Sequence, residues 1–283
     1  MKLRTRAELF LLSITLIWGS TFALSKYLLD TISPLFYIGV RFSVALIIFT
    51  LLASKRVFAT TKDGFIKGAI LGALLFSGFA AQTIGLQYTG ASKSAFITGM
   101  MVVFTPLCQI VIERRTPKVG NIVGILLVTL GLYLLTSPAG SEFNIGDGLN
   151  LFCAVTFALY IVYLDVFSKG QDPVHLTVAQ FVVCALLGFI SSFLFEPMRF
   201  HPTAGAYGAL IYLIIFATVI ALFVQTRFQK DTTPTRSAVI FSIEPVLAAV
   251  FAYIFLREVL GVAGMIGGGV IVGGVLISEL SPS

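Results

Sequence analysis

Residues 82–95 read Gln-Thr-Ile-Gly-Leu-Gln-Tyr-Thr-Gly-Ala-Ser-Lys-Ser-Ala, and residues 225–238 read Gln-Thr-Arg-Phe-Gln-Lys-Asp-Thr-Thr-Pro-Thr-Arg-Ser-Ala. Laid over each other without a gap, Gln82 meets Gln225, Thr83 meets Thr226, and Thr89 meets Thr232. Lys93-Ser94-Ala95 then meets Arg236-Ser237-Ala238. Each stretch joins one long apolar run to the next. Self-similarity at an interval of 143 residues points to a half-chain duplication.

The rest of the chain sets the environment of that duplication. Of 283 residues, 57% are hydrophobic and only 11% are charged, against roughly 25% charged in a soluble domain. Apolar runs near the ~20 residues a helix needs to cross a bilayer recur throughout. Ten spans are expected, at about 8–29, 34–53, 65–87, 92–112, 118–136, 147–167, 174–195, 206–226, 237–256 and 260–279. The first follows Lys2, Arg4 and Arg6 and has the flanks of a signal peptide. Its length and the absence of a small-x-small cleavage site favour a membrane helix. The polar stretch 137–146 falls where the halves meet, which gives a first unit over 1–140 and a second over 141–283.

Lys and Arg placement orients the chain. With the N-terminus in the cytoplasm, fourteen of the nineteen basic residues lie on the cytoplasmic side. Lys93, Arg199 and Arg257 lie outside, and Lys26 and Arg41 fall within spans. Both termini are then cytoplasmic, and the net charge of +6 reflects membrane topology rather than a nucleic-acid partner. The 143-residue interval continues through Arg114/Arg257, Gly124/Gly267 and Gly131/Gly274. Nearer the N-terminus, Pro34/Pro173 and Phe42/Phe181 align at 139, which pairs Trp18 with Phe157 and Lys26 with Asp165. Five spans per half, an odd number, means that the halves enter the membrane in opposite senses. Such an inverted repeat is the geometry of alternating access, with substrate near the midplane between the units.

These residues carry a resemblance. Trp18-Gly19-Ser20-Thr21-Phe22, Pro34, Arg41-Phe42 and Ala91-Ser92-Lys93-Ser94-Ala95 stand in the first half. Thr235-Arg236-Ser237-Ala238, Ser242-Ile243-Glu244-Pro245-Val246 and Phe255-Leu256-Arg257-Glu258 stand in the second. Together they resemble the drug/metabolite transporter superfamily, specifically its EamA-type ten-helix exporters, over nearly the whole chain. The resemblance implies an all-α polytopic membrane protein of two inverted five-helix units around a central cavity. It also implies export of small organic metabolites such as amino acids, and residence in a bacterial inner (plasma) membrane.

Individual residues sharpen the expectation. Glu244 lies mid-membrane, where a carboxylate is costly and must face protein or water. It is a candidate carrier of a coupling proton, and equally a hydrogen-bonded partner of backbone freed at Pro245. Pro106 and Pro245 each remove a backbone donor and break a helix, and broken spans line transporter cavities. Lys26 can snorkel to the interface, and Arg41 lies deeper. Either is suited to a substrate carboxylate, or to a carbonyl or acid of another helix. Gln82 and Gln225 are symmetric polar positions suited to gates or to interhelical hydrogen bonds. Trp18, Phe22, Phe79, Phe104, Phe157 and Tyr160 are the aromatic candidates for the cavity lining. With 26 Phe in the chain most aromatics must face lipid or neighbouring helices, and Trp18 and Tyr160 stand out from that background.

Cys108, Cys153 and Cys184 sit in apolar runs without metal or disulfide spacing, and His175 and His201 have no partner motif. No cofactor or metal is expected. Small-xxx-small pairs such as Gly68/Gly72, Gly120/Gly124, Gly264/Gly268 and Gly269/Gly273 permit close helix approach, within a monomer or across a homodimer. The absence of a nucleotide-binding motif leaves a secondary transporter as the leading reading, with a lipid or lipid-carrier flippase as the alternative. An intramembrane enzyme would need a clustered acid, base or nucleophile, and the charges are isolated.

Overall fold

A long apolar segment in lipid must satisfy its backbone polar groups within itself, and helix is the open-ended way to do so. The computed structural model describes residues 3–136, 143–257, 259 and 261–280, and these are helical apart from short connections. The elements are α1 (Leu3–Leu29), α2 (Pro34–Phe58), α3 (Lys62–Gly85), α4 (Ala91–Gly99), α5 (Met101–Glu113), α6 (Val119–Thr136), α7 (Ile145–Ser168) and α8 (Pro173–Phe195). They continue with α9 (Ala204–Ile214), a π-helical segment (Ile215–Ile220), α10 (Ala221–Phe228), α11 (Pro234–Phe241), α12 (Glu244–Leu256) and α13 (Val262–Leu280). Eight segments are long and apolar enough to cross a membrane, and Val119–Leu134 and Val262–Ser278 are shorter apolar helices. The junction of the two expected units, at residues 137–142, and Glu258 lie outside the described residues.

Helix starts follow local chemistry. Thr61, Asn144, Asp172, Thr203 and Thr233 accept backbone N–H bonds at the starts of α3, α7, α8, α9 and α11. The start of α2 is capped from a distance: the Glu196 carboxylate accepts from Leu35 N–H and Phe36 N–H at 3.2 and 2.8 Å. An anion there also complements the helix dipole. Large apolar side chains such as Phe193, 90% exposed, face outward as lipid contact.

Two spans are broken rather than continuous. α4 yields to α5 at Met100, and α11 yields to α12 at Ser242–Ile243. These positions match at the 143 interval. Pro245 stands in the first turn of α12, at its break. Pro106 stands inside α5, six residues past the break at Met100, so it does not mark the discontinuity. Gly99, a poor helix former, does. The two breaks touch, because a Cβ on Gly99 would sit 2.8 Å from the Pro245 ring.

Contacts between helices are reciprocal under the two intervals. α1 packs on α11 and α12, and α7 packs on α4 and α5. Phe42 and its counterpart Phe181 meet edge to face at 5.8 Å. α6 and α13 cross through glycine: a Cβ on Gly124 would meet the Gly274 carbonyl at 2.8 Å, and one on Gly131 would meet the Gly267 carbonyl at 2.7 Å. Each glycine therefore touches the counterpart of the other. Gly68 and Gly72 likewise seat α3 on α8, whereas Gly269 and Gly273 have open space before them.

Two expectations follow. Gly131→Leu forces backbone against side chain at the α6–α13 crossing, where overpacking costs about 1–3 kcal/mol. Its melting temperature in detergent falls below that of Gly273→Leu, whose side chain meets open space. At the end of α2, Arg56 grips Asp172 through Nε and Nη2 at 3.1 and 2.6 Å. Burial acts to raise the Asp172 pKa, but bonds from Arg56 and Val174 N–H outweigh it and hold the carboxyl below its usual range. A depressed folded-state pKa contributes stability above the unfolded pKa of about 4, and that stability is lost as pH falls through the folded value. Asp172→Asn therefore lowers the melting temperature at pH 7, and the gap to the parent protein closes on acidification below about pH 4.

Candidate functional site

Between the broken spans and α1, α2, α3, α7 and α10 lies a central cavity with about 530 Å³ of empty space, of which about 50 Å³ is open to the centre of a water molecule. At roughly 10–15 Å³ per water, this conformation holds a few waters. A larger occupant requires the walls to part.

Most of the lining consists of paired positions. At the 139 interval these are Trp18/Phe157 and Thr21/Tyr160. At the 143 interval they are Phe79/Leu222, Gln82/Gln225, Thr98/Phe241 and Met101/Glu244. Arg41, Leu75 and Ile161 complete the wall without a lining counterpart. Seven of the nine residues expected from sequence are thus brought together: Trp18, Phe79, Gln82, Phe157, Tyr160, Gln225 and Glu244. Phe22 is 2% exposed in a small cluster with Leu29, Ala91, Ala95, Ala248 and Ala252. Phe104 packs half-buried against the main core.

Thr21, Leu75, Thr98, Met101, Ile161, Leu222 and Phe241 line the cavity without having been singled out. The signal for several was present. Leu222, Phe241 and Met101 are repeat counterparts of Phe79, Thr98 and Glu244, and Thr21 follows Trp18 by one helical turn.

Trp18, the sole tryptophan, donates from Nε1 to the Ala217 carbonyl at 3.1 Å and meets Phe241 edge to face at 5.4 Å. Tyr160 donates to Gln180 Oε1 at 2.7 Å. Gln82 donates to Thr98 Oγ1 at 3.3 Å, and Gln225 to Gln229 Oε1 at 2.9 Å, which in turn donates to the Ile161 carbonyl. Both glutamines are therefore held in interhelical or intrahelical bonds in this conformation.

Two ionisable side chains face the cavity. Arg41, 3% exposed, donates from Nε to Thr218 Oγ1 at 2.6 Å, from Nη1 to Tyr37 Oη at 3.1 Å, and from Nη2 to the Ala217 carbonyl at 3.4 Å. Its guanidinium also lies 5.0 Å from the Phe79 ring centroid, a cation–π geometry. The π-helical turn at Ile215–Ile220 presents Ala217 and Thr218 to it, a widening of the helix that often marks a functional position. Among the described residues no carboxylate pairs with Arg41, and no hydrogen bond or ion pair engages Glu244. Lys26 lies away from the cavity and donates to the Thr89 carbonyl at 2.6 Å.

A multi-pass helical bundle of this kind, with a polar-and-aromatic cavity at its centre, is the architecture of an integral membrane transporter. The model of the EamA-like transporter family matches residues 5–137 and again 144–280, and the chain belongs to that family. An "Uncharacterized transporter" of Archaeoglobus fulgidus is 33% identical over 277 residues, covering 98% of this chain and 87% of the relative. The "Uncharacterized transporter YyaM" of Bacillus subtilis is 24% identical over 259 residues, covering 87% and 84%. A solved crystal structure matches with a TM-score of 0.81 at 20% identity, covering 98% of this chain and 97% of the other. That likeness speaks to the fold. The family and these relatives are transporters, not enzymes.

The Arg41–Thr218 bond makes a direct prediction. Thr218→Val leaves the buried Arg41 Nε without its acceptor, at a cost of about 1–3 kcal/mol, and lowers the melting temperature. Thr218→Ser keeps the hydroxyl and restores most of the loss.

Proposed function

We propose that this protein is a secondary transporter that exports small organic metabolites, amino acids or close relatives, by alternating access through the central cavity. In this reading ten membrane spans form two inverted five-helix units, residues 1–140 and 141–283, with both termini in the cytoplasm. The observation that carries it is the paired lining: six pairs of positions related by the two intervals meet around one void. A void on the axis between two like units faces either side of the membrane with little change in the packing of each unit. The two matches of the family model support the same division.

Charge and shape narrow the cargo. Arg41 offers a fixed cation without a paired carboxylate, Glu244 offers an acid free of other bonds, and Trp18, Phe79, Phe157 and Phe241 supply apolar surface. A zwitterion with an apolar body satisfies both charges and the aromatic wall at once. Gln82 and Gln225, at related positions, serve in this reading as polar gates to either side.

A second reading rests on one feature. A wide, mostly apolar groove between α1, α9 and α12, lined by Ala23, Leu24, Tyr27, Tyr212, Phe251 and Phe255, opens on the lipid side. It favours a lipid flippase as the alternative. The central cavity, with Arg41 and Glu244 on its wall, favours a soluble solute.

The test uses proteoliposomes and the sole tryptophan. Candidate solutes that bind quench or shift Trp18 emission, and the same solutes exchange across the vesicle. Glu244→Gln retains the melting temperature within a few degrees and reduces zwitterion flux by about tenfold or more. If labelled lipids cross while amino acids, nucleosides and related solutes do not, the flippase reading takes its place.

A further inference from the structure

The twin stretches that mark the duplication also carry the ends of two ion pairs. At the end of the molecule where α1 begins, Arg236 Nη1 lies 3.3 Å from Glu8 Oε1, with side-chain exposures of 4% and 13%. Thr232 Oγ1 donates to the same oxygen at 3.3 Å, and Arg4 Nε, on α1 itself, donates to it at 2.7 Å. At the opposite end, Lys93 Nζ lies 2.7 Å from Asp147 Oδ2, with exposures of 25% and 0%. The Thr89 side chain stands at that carboxylate too.

These are one arrangement written twice. Asp147 is Glu8 displaced by 139 residues, and Arg236 and Thr232 are Lys93 and Thr89 displaced by 143. In each, an acid at the start of the first helix of one half receives a threonine and a cation from the broken span of the other half. The contact is isologous in the way a two-fold interface is: each residue meets the counterpart of its counterpart's partner.

The two sites bracket the cavity. Glu8 precedes Trp18 by ten residues of α1, about 15 Å along the axis at 1.5 Å per residue. Lys26, eight residues beyond Trp18 or about 12 Å, reaches the Thr89 carbonyl at the far site. Both ion pairs are closed in this structure, and the cavity between them admits water only to about 50 Å³.

We propose that Glu8–Arg236 and Asp147–Lys93 are the two gates of the transport cycle, each joining the halves at one membrane face, and that the protein opens to one side by parting one pair while the other stays closed. The inference rests on the alternating-access reading above and adds the residues that perform it. Partly buried pairs suit the task. Water entering the opened vestibule solvates the separated charges, and Arg4 stays with the Glu8 carboxylate when Arg236 parts from it. The Lys26 bond to Thr89 ties α1 to the far gate, so a tilt of α1 that frees Glu8 acts on both ends.

The experiment reads access rather than flux, so a failure to find the cargo does not obscure it. In a variant with Cys108, Cys153 and Cys184 replaced by alanine, Leu75→Cys places a reporter in the cavity wall. A membrane-impermeant maleimide is added to one face or the other of oriented vesicles. Glu8→Gln should raise labelling from the α1-start face by about tenfold, and Asp147→Asn should raise it from the opposite face by a similar factor, the size expected for about 1.4 kcal/mol of lost bias. The exchanged pairs, Glu8→Arg with Arg236→Glu and Asp147→Lys with Lys93→Asp, should return labelling toward the parent rate but short of it, because Glu8→Arg sets a like charge beside Arg4 and Asp147→Lys gives up the Asn144 N–H bond. They also report on the gates where a single variant fails to fold. Equal labelling from both faces in each variant, or exchanged pairs that fold yet leave access unchanged from the single variants, would overturn the proposal.

In a second arm, cysteines replacing Lys93 and Asp147 are bridged by a short thiol cross-linker. Labelling from the α1-start face should persist while labelling from the opposite face stops, and the Glu8/Arg236 cysteine pair should give the reverse. Continued access from the bridged face would count against these residues as gates. If the gates respond as described and no solute moves, the gating stands and the assigned cargo falls.

Discussion

Backbone hydrogen bonding in a medium without water is the constraint on which the rest of this structure depends. A peptide group left unpaired in hydrocarbon costs several kcal/mol, so the chain is helical wherever lipid surrounds it. The departures from α-helix that shape the cavity lie against protein, whereas the kink at Ala53 of α2 sits beside exposed Leu51 and Leu52. Met100, Ser242 and Ile243 interrupt two spans where those spans meet each other, and the π-helical turn at Ile215–Ile220 lies against Trp18 and Arg41. The carbonyl of Ala217, which lies in that turn, has two donors from neighbouring helices. The irregular backbone is thus satisfied by side chains of the cavity wall, and the same groups that satisfy it give the cavity its polarity.

Arg41 illustrates the exchange. A guanidinium deep in a span is costly unless its donors are occupied. Here a hydroxyl, a phenol and a carbonyl occupy them, with an aromatic face alongside. All of these partners are neutral, so its positive charge is solvated by dipoles but not cancelled. Glu244 stands on the same cavity wall, at the break between α11 and α12, with no bond from the described residues. A direct ion pair between the two would neutralise the cavity and cost any charged cargo its recognition. Held apart, each keeps its hydrogen-bonding capacity toward the void.

Much of this was legible in sequence because it rests on periodicity and chemical cost. Apolar run length located the spans, and the rarity of charge in them drew attention to Arg41 and Glu244. The two intervals linked Trp18 with Phe157 and Gln82 with Gln225. Other features depend on tertiary contact. Phe22 carries the same motif as Trp18, but four residues along a helix it turns to α12 and fills a pocket among alanines. Pro106 reads as a helix breaker, yet its helix continues around it because the neighbouring glycine has already released the chain at Met100. The π-helical turn has no compositional mark. Only the partners of Ala217 and Thr218 explain why the extra residue is tolerated there. Spacing also left the glycine pairs ambiguous: Gly124 and Gly131 are at a crossing and Gly273 is not, a distinction made by the facing helix alone.

Near-symmetry also shows where the two ends differ. Ser94, next to Lys93, donates to Asn150 Oδ1 at 2.7 Å, and Asn150 donates onward to the Gly146 carbonyl. The counterpart of Ser94 is Ser237, and the counterpart of Asn150 is Leu11. Among the described residues the Ser237 hydroxyl is buried without a partner. The Asp147 end therefore has a polar bond that the Glu8 end lacks, and each end carries one buried polar atom at the cost of its desolvation, the Ser237 hydroxyl at one and Asp147 Oδ1 at the other. Two inverted units of identical sequence would make the opposite-facing states equal in energy, so a preference between them must come from such departures from identity. Parting the Glu8 end exposes the Ser237 hydroxyl to water, and parting the Asp147 end exposes Asp147 Oδ1 while breaking the Ser94–Asn150 bond. The two ends therefore differ in what each gives up on opening, and the Ser94–Asn150 bond is the part of that difference with no counterpart across the repeat.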